Sequence, residues 1–185
     1  MKRRKANQDH RFAVDALDSY TFNPIGIVHS PYTERFGTPR QPTVVEQVVG
    51  EGALDGRIEL FASQNFEQAL EGLDGFEYCW VLSIMHLNEG WKPKVRPPRG
   101  GDSKRGLFAT RSPHRPNPIA LSALKLVGIE GRNVHVRGID LIDGTPILDL
   151  KPYVPYADAF PNAKAGWIDQ LEDPLGPDFH PDNEP

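Results

Sequence analysis

Six prolines fall between Trp91 and Pro118, in a stretch that is also rich in Lys and Arg. Proline has no backbone N–H and clashes with the preceding helical turn, so this segment can be neither α-helix nor central β-strand. An apolar run, Phe76–Leu87, precedes it and three more apolar runs follow. Irregular excursions of this length inside a compact domain are functional or disordered. The fold must therefore bring together strands from both sides of the excursion.

The flanking runs read as strands. Ile25-Gly26-Ile27-Val28 is a short strand entering the turn Ser30-Pro31-Tyr32, residues 32–43 form a loop, and Arg57–Phe61 is the next strand. Asn65 is placed to cap a short helix, with Phe66, Ala69, Leu70 and Leu73 at helical spacing and Gln68 at the capping-box position. In the run 76–87, Phe76, Tyr78, Trp80, Leu82 and Ile84 share one face while Cys79, Val81, Met85 and Leu87 share the other. That pattern predicts a strand buried on both faces, with His86 at its rim. Ile119–Ile129, Asn133–Ile142 and Thr145–Val154 are three further strands. Within the second, the apolar phase slips at Gly138, which predicts a β-bulge. One helix among six or more strands favours an all-β barrel with long loops over an α/β fold.

At 185 residues the chain suits one domain. Residues 1–21 read as a flexible basic arm, 22–168 as the domain and 169–185 as an acidic disordered tail. The single cysteine, Cys79, excludes a disulfide framework and reads as a buried, inert thiol. No apolar stretch reaches membrane-spanning length and the basic N-terminus lacks a following apolar segment, so a cytoplasmic protein with no membrane partner is expected. The net charge is −4, but from His86 to Lys125 nine Lys or Arg face only Glu89 and Asp102. A basic surplus inside an acidic protein fits either a polyanion-facing surface or a solvated loop.

Several chemistries are excluded. The nucleotide cradles G-x-G-x-x-G and G-x-x-x-x-G-K-[ST] are missing, as is the nucleophile elbow G-x-S-x-G. The six histidines do not pair at metal-ligand spacing, and no metal is expected. Four segments remain. They are the proline-bounded loop Thr38–Thr43, the strand end Met85-His86, the run Leu107–Ser122, and Asp140–Tyr153 with its Asp143-Gly144 turn signal. Taken singly, the first reads as a surface loop, His86 as a core histidine and the last as a plain turn. The third differs, because its prolines hold Arg, His and Asn in fixed directions, as a preorganised site needs.

Taken in order, these segments resemble a known family. Pro24-Ile25-Gly26-Ile27-Val28-His29-Ser30-Pro31-Tyr32, Pro39-Arg40-Gln41-Pro42, Arg96-Pro97-Pro98-Arg99, Phe108-Ala109-Thr110-Arg111-Ser112, Arg115-Pro116-Asn117-Pro118-Ile119 and Asp143-Gly144-Thr145-Pro146 through Tyr153 are similar to the TsaA-like domain of TrmO-type methyltransferases. The resemblance spans roughly residues 22–168, and it rests on several weak pieces at compatible spacing. It implies a closed, non-Rossmann β-barrel of the TsaA-like type, usually a homodimer, that binds S-adenosylmethionine. The implied substrate is N6-threonylcarbamoyladenosine beside the anticodon of tRNA, methylated on N6. The implied cofactor pocket comprises Gln41, Pro42, Thr43, Met85, His86, Arg111, Leu121, Asp143, Gly144, Thr145 and Pro146. Ala120 departs from the glycine common after Asn-Pro-Ile. Bacterial members often carry an additional C-terminal domain where this sequence has an acidic segment.

A sulfonium methyl donor is already activated, so such an enzyme acts chiefly by aligning nucleophile, methyl and sulfur. The urea-type N6 is a poor nucleophile, and His86 or Asp143 is a candidate to accept its proton. Arg99, Lys104, Arg105, Arg115 and Asn117 are the candidates to hold tRNA, with Lys104 and Arg105 at a Gly-flanked loop tip. Two other readings stay open: a non-catalytic RNA-binding β-barrel, and a methyltransferase acting on a small molecule.

Overall fold

The computed structural model describes residues 19–34, 55–62, 64–98 and 102–171. The arm over residues 1–18, the loop with Gln41, Pro42 and Thr43, Arg99, and the acidic segment from residue 172 lie outside the described residues.

Six antiparallel strands close into a barrel: β1 (Gly26–His29), β2 (Asp55–Leu60), β3 (Tyr78–Ile84), β6 (Ile119–Glu130), β7 (Asn133–Arg137) and β8 (Pro146–Pro152). Their order around the barrel is β1-β2-β7-β6-β3-β8, with β8 returning to pair with β1. A separate two-stranded hairpin, β4 (Lys94–Val95) with β5 (Arg105–Gly106), stands within the proline-rich excursion. Single-turn α-helices occupy Phe66–Ala69 and Pro155–Asp158. Among the described residues no helix is long and apolar enough to cross a membrane.

Alternation along the strands builds the core. Val28, Ile58, Cys79, Val81, Leu124, Val134, Val136 and Ile147 are buried completely and point inward. Burial pushes the Cys79 thiol up to about 11, so it stays protonated and unreactive near neutral pH. The barrel closes at Gly26, which sits opposite Leu60 on β2 and opposite Ile147 on β8. A Cβ there would run into the carbonyl of Glu59 and the backbone of Leu60. Only glycine allows this approach.

Four details differ from the sequence reading. β3 buries Cys79, Val81 and Ser83, but its other face is only half covered, and Phe76 lies outside the strand and exposed. On that outer face Trp80 packs on Tyr153 and donates its indole N–H to Asp158 at 3.0 Å. The Asn65 side chain donates to the Gln68 side chain and makes no cap bond to the helix backbone. β7 stops at Arg137, and Gly138, at φ 80, turns the chain so that Ile139 and Leu141 plug the barrel end. The bulge lies instead on β6, where the register with β7 jumps between Leu126 and Gly128. Val127 absorbs the extra residue, so that Leu126 and Ile129 both face inward opposite Val136 and Val134.

Gly26→Ala should lower stability by about 1–3 kcal/mol through overpacking at the closure. Gly75→Ala, where an added Cβ meets nothing within 4 Å, should stay within about 0.5 kcal/mol of wild type. Urea midpoints at equal slope check both.

Candidate functional site

The antiparallel registers bring one set of strand ends to a single rim. β3 ends there at Ile84, opposite Ile119 where β6 begins, and β8 begins close by, with Ile147 opposite Ser83. β1 leaves at the same rim through Val28 and Ser30. The Met85 amide donates to the Pro118 carbonyl at 2.8 Å, pinching the base of the proline-rich excursion. The basic segment therefore starts and finishes at the barrel mouth.

The Asp143-Gly144 turn is stitched to the exit of β1. The Asp143 carboxylate accepts the Ser30 N–H at 3.0 Å, the Asp143 N–H donates to Tyr32, and the Gly144 N–H donates to Val28. Gly144 adopts φ 75, which the turn requires of it. Thr145 is buried, and its hydroxyl donates to the Ile142 carbonyl at 2.6 Å. Met85 packs partly buried against the core, whereas His86 is exposed. Arg111 is exposed on the same side of the barrel, within electrostatic reach of Asp140. Leu121 points away from the interior and is 53% exposed.

Four polar residues at this rim were not named as candidates from sequence. The Ser122 hydroxyl donates to the Asp140 carboxylate at 2.7 Å. Burial pushes the Asp140 carboxyl up to about 6, against the lowering effects of Ser122, its own backbone N–H and the Arg111 charge. Burial, and then the Asp140 charge, raise the Tyr32 hydroxyl above its ordinary value. Ser83 is fully buried, with its hydroxyl lacking a hydrogen-bond partner among the described residues. The phase slip at Gly138 was the available signal, since it turns the following residues toward the barrel end.

The excursion is more ordered than its composition suggests. Leu107, 2% exposed, anchors it, and its amide donates to Pro93. Arg105 lies over the Trp167 ring at 5.4 Å, and the Trp167 indole donates to the Ala109 carbonyl at 2.8 Å. Arg105 is thus half-buried against a later segment, while Lys104 is exposed. Arg115 lies over the Phe108 ring at 5.4 Å and donates to the carbonyls of Thr110 and Ser112. Asn117 is exposed just before β6.

Two cavities open on the barrel, one at this rim and one at the opposite end. One of about 420 Å³ lies beside the β1 exit between His29, Ser30, Arg57 and His135. The other, about 390 Å³ and more apolar, lies at Ile25, Leu60, Phe66, Leu70 and Phe76. Neither is lined by Met85, His86 or Arg111. Among the described residues no group of three or more His, Cys, Asp or Glu side chains gathers as a metal site.

Comparison with known proteins gives a consistent result. The family model of the tRNA-methyltransferase O N-terminal domain matches residues 27–159. The tRNA (adenine(37)-N6)-methyltransferase of Escherichia coli (strain K12) is 40% identical over 158 residues, covering 82% of this chain and 65% of that protein. A probable S-adenosyl-L-methionine-binding protein of Pyrococcus abyssi is 35% identical over 150 residues, covering 80% of this chain and 76% of its own length. The crystal structure of TrmO from Pseudomonas aeruginosa superposes with a TM-score of 0.64 at 38% identity, covering 80% of this chain and 62% of that one. The chain spans less than two thirds of the Escherichia coli and Pseudomonas aeruginosa proteins.

A carboxyl raised by burial favours the folded state when protonated. Its contribution is fully present below the ordinary value of 3.8 and is lost as pH rises from there to about 6, above which nothing further changes. Asp140→Asn should therefore gain stability relative to wild type as pH rises from about 4 to 6, by at most roughly 3 kcal/mol. Urea titrations from pH 4 to 7.5, showing a difference that grows up to about pH 6 and is level above it, test this.

Proposed function

The chain belongs to the family of the tRNA-methyltransferase O N-terminal domain, and from that premise we propose that it is an S-adenosylmethionine-dependent enzyme that methylates N6 of threonylcarbamoyladenosine beside the anticodon of tRNA. The activity named for the Escherichia coli relative and the ligand named for the Pyrococcus abyssi relative support the reaction and the cofactor. The single observation that carries the reading is the pinch at Met85 and Pro118, which ties a basic excursion to the rim of the barrel. A methyl donor held at the rim and an RNA held by the excursion would then meet. Substrate of this kind puts the enzyme in the cytoplasm. The exposed apolar Ile119 on the outer face supports a homodimer.

S-adenosylmethionine, when bound, supplies an activated methyl group on a sulfonium. Among the described rim residues are the Arg111 guanidinium and the Asp140 and Asp143 carboxylates. These match in sign the carboxylate, the ammonium and the sulfonium of that ligand. Arg111 would hold the ligand carboxylate, since a guanidinium suits a carboxylate in charge and shape. Met85, Leu121 and Pro146 contribute apolar surface, while Gly144 and Thr145 fix the turn beneath. Gln41, Pro42 and Thr43, which the family resemblance adds to the pocket, lie outside the described residues. His86, exposed at the strand end, and Asp143, held by the Ser30 amide, are the two candidates to accept the N6 proton. Lys104, Arg105, Arg115 and Asn117 are the described residues that would face the tRNA, and Arg99, the fifth candidate, lies outside the described residues.

Arg111→Ala should lose roughly 10- to 150-fold in methyl transfer, the worth of a charge-assisted hydrogen bond, while melting like wild type. Tritium transfer from S-adenosylmethionine to tRNA measures it, and turnover unchanged by the substitution would move the pocket elsewhere. Replacing the exposed Lys94 and Lys104 together by Ala should flatten the salt dependence of tRNA binding by about 1.4–1.8 in log–log slope. Identical slopes for variant and wild type would mean that the hairpin does not touch phosphate.

A further inference from the structure

The excursion holds a feature that phosphate binding does not use. Phe108 is 78% exposed although its neighbour Leu107 is buried at 2%. A large apolar ring held outward on a rigid element gains nothing from folding. It is nonetheless held firmly. The turn Leu107–Ala109 is closed by the Thr110 amide and hydroxyl, both donating to the Leu107 carbonyl at 3.1 and 2.8 Å. Ser112 donates its amide back to the Thr110 hydroxyl at 3.3 Å. The Arg115 guanidinium lies 5.4 Å from the ring centroid, fixed by bonds to the Thr110 and Ser112 carbonyls. On the other side of the turn, the Trp167 indole ties the Ala109 carbonyl down and carries Arg105 on its own ring. One exposed aromatic ring is thus flanked by two cations, each already oriented by an aromatic stack.

Unpaired RNA bases are recognised by stacking on aromatic rings and guanidinium planes, with nearby cations taking the phosphates. Paired bases offer no free face. We infer that Phe108, clamped by Arg115 at the turn Leu107–Ala109, is a stacking platform for an unpaired base of an RNA loop. This rests on the tRNA reading above and adds the part of the RNA that the excursion grips: a splayed-out base, in addition to phosphates. The basic surplus of the excursion selects RNA over an apolar protein partner as occupant, because an apolar partner would have to desolvate the flanking guanidinium groups.

The test uses the full chain with a labelled synthetic RNA stem-loop and with the same stem closed as a blunt duplex, both at one fixed salt concentration. Phe108→Ala and Phe108→Leu should each weaken stem-loop binding by roughly 5- to 150-fold, the range of a lost base–aromatic stack. The leucine variant keeps apolar bulk without a π-face, so its loss identifies stacking. Phe108→Tyr keeps the ring and should bind within about twofold of wild type. Duplex binding, S-adenosylmethionine affinity and melting midpoint should be unchanged in all three, since the ring is exposed. Stem-loop binding by the alanine or leucine variant equal to wild type would overturn the proposal. So would equal losses on stem-loop and duplex, no RNA binding by wild type, or a change in sedimentation that marks the ring as an interface between copies. If wild type binds the stem-loop but neither binds S-adenosylmethionine nor methylates tRNA, the enzymatic reading fails while the comparison of stem-loop with duplex still decides the platform.

Discussion

Closure of the barrel at Gly26 is the constraint on which the rest depends. A six-stranded sheet left open would expose two edges, and here the closing strand is only four residues long. It must make ladders on both sides within that length, so β2 comes closer than a side chain at residue 26 would permit. Closure in turn creates the rim. The carbonyls of Val28 and Tyr32 and the amide of Ser30 are available to the Asp143-Gly144 turn only because β1 lies beside β8. The local sequence of that turn favours a tight reversal, but its orientation over the barrel mouth comes from β1.

The barrel interior is graded along its axis. Toward the end with Leu60 and Leu70 it is wholly apolar, whereas the rim end holds Ser83, Ser122 and Thr145. An enclosed hydroxyl without a partner, as Ser83 is among the described residues, costs about 1–3 kcal/mol. The carboxyl of Asp140 is likewise held where its ionised form is disfavoured. Such departures from an all-apolar core are expected where a fold meets its chemistry. They lie at the end from which the excursion leaves.

How much of this was legible in the sequence depended on range. The strands announced themselves through alternation, and the prolines marked the excursion, because both signals are local. The phase slip at Gly138 was also visible, but two physical causes produce the same slip. A bulge keeps the strand going, whereas a glycine at positive φ ends it, and only the pairing with β6 decides between them. That pairing also explains why Asp140 was overlooked. Its partner Ser122 lies 18 residues upstream, and the hydrogen bond exists only in the observed register. Lys104 and Arg105 looked alike as neighbours at a loop tip, yet one is free in solvent and the other lies on Trp167. No periodicity links residue 105 to residue 167. Of the candidate site, the family resemblance supplied the residues and the structure supplied their company. Met85, His86, Arg111 and the 143–146 turn share the rim, while the loop with Gln41, Pro42 and Thr43 is not described.

The bond between the Trp167 indole and the Ala109 carbonyl also carries a consequence for timing. The two residues are 58 positions apart, so at ordinary translation rates Trp167 is made about 3–12 s after Ala109. All six barrel strands have by then been synthesised. A nascent chain can therefore assemble its core while the excursion still lacks the indole that fixes it. The Ala109 carbonyl and the Arg105 side chain are therefore the last parts of the excursion to find their partners.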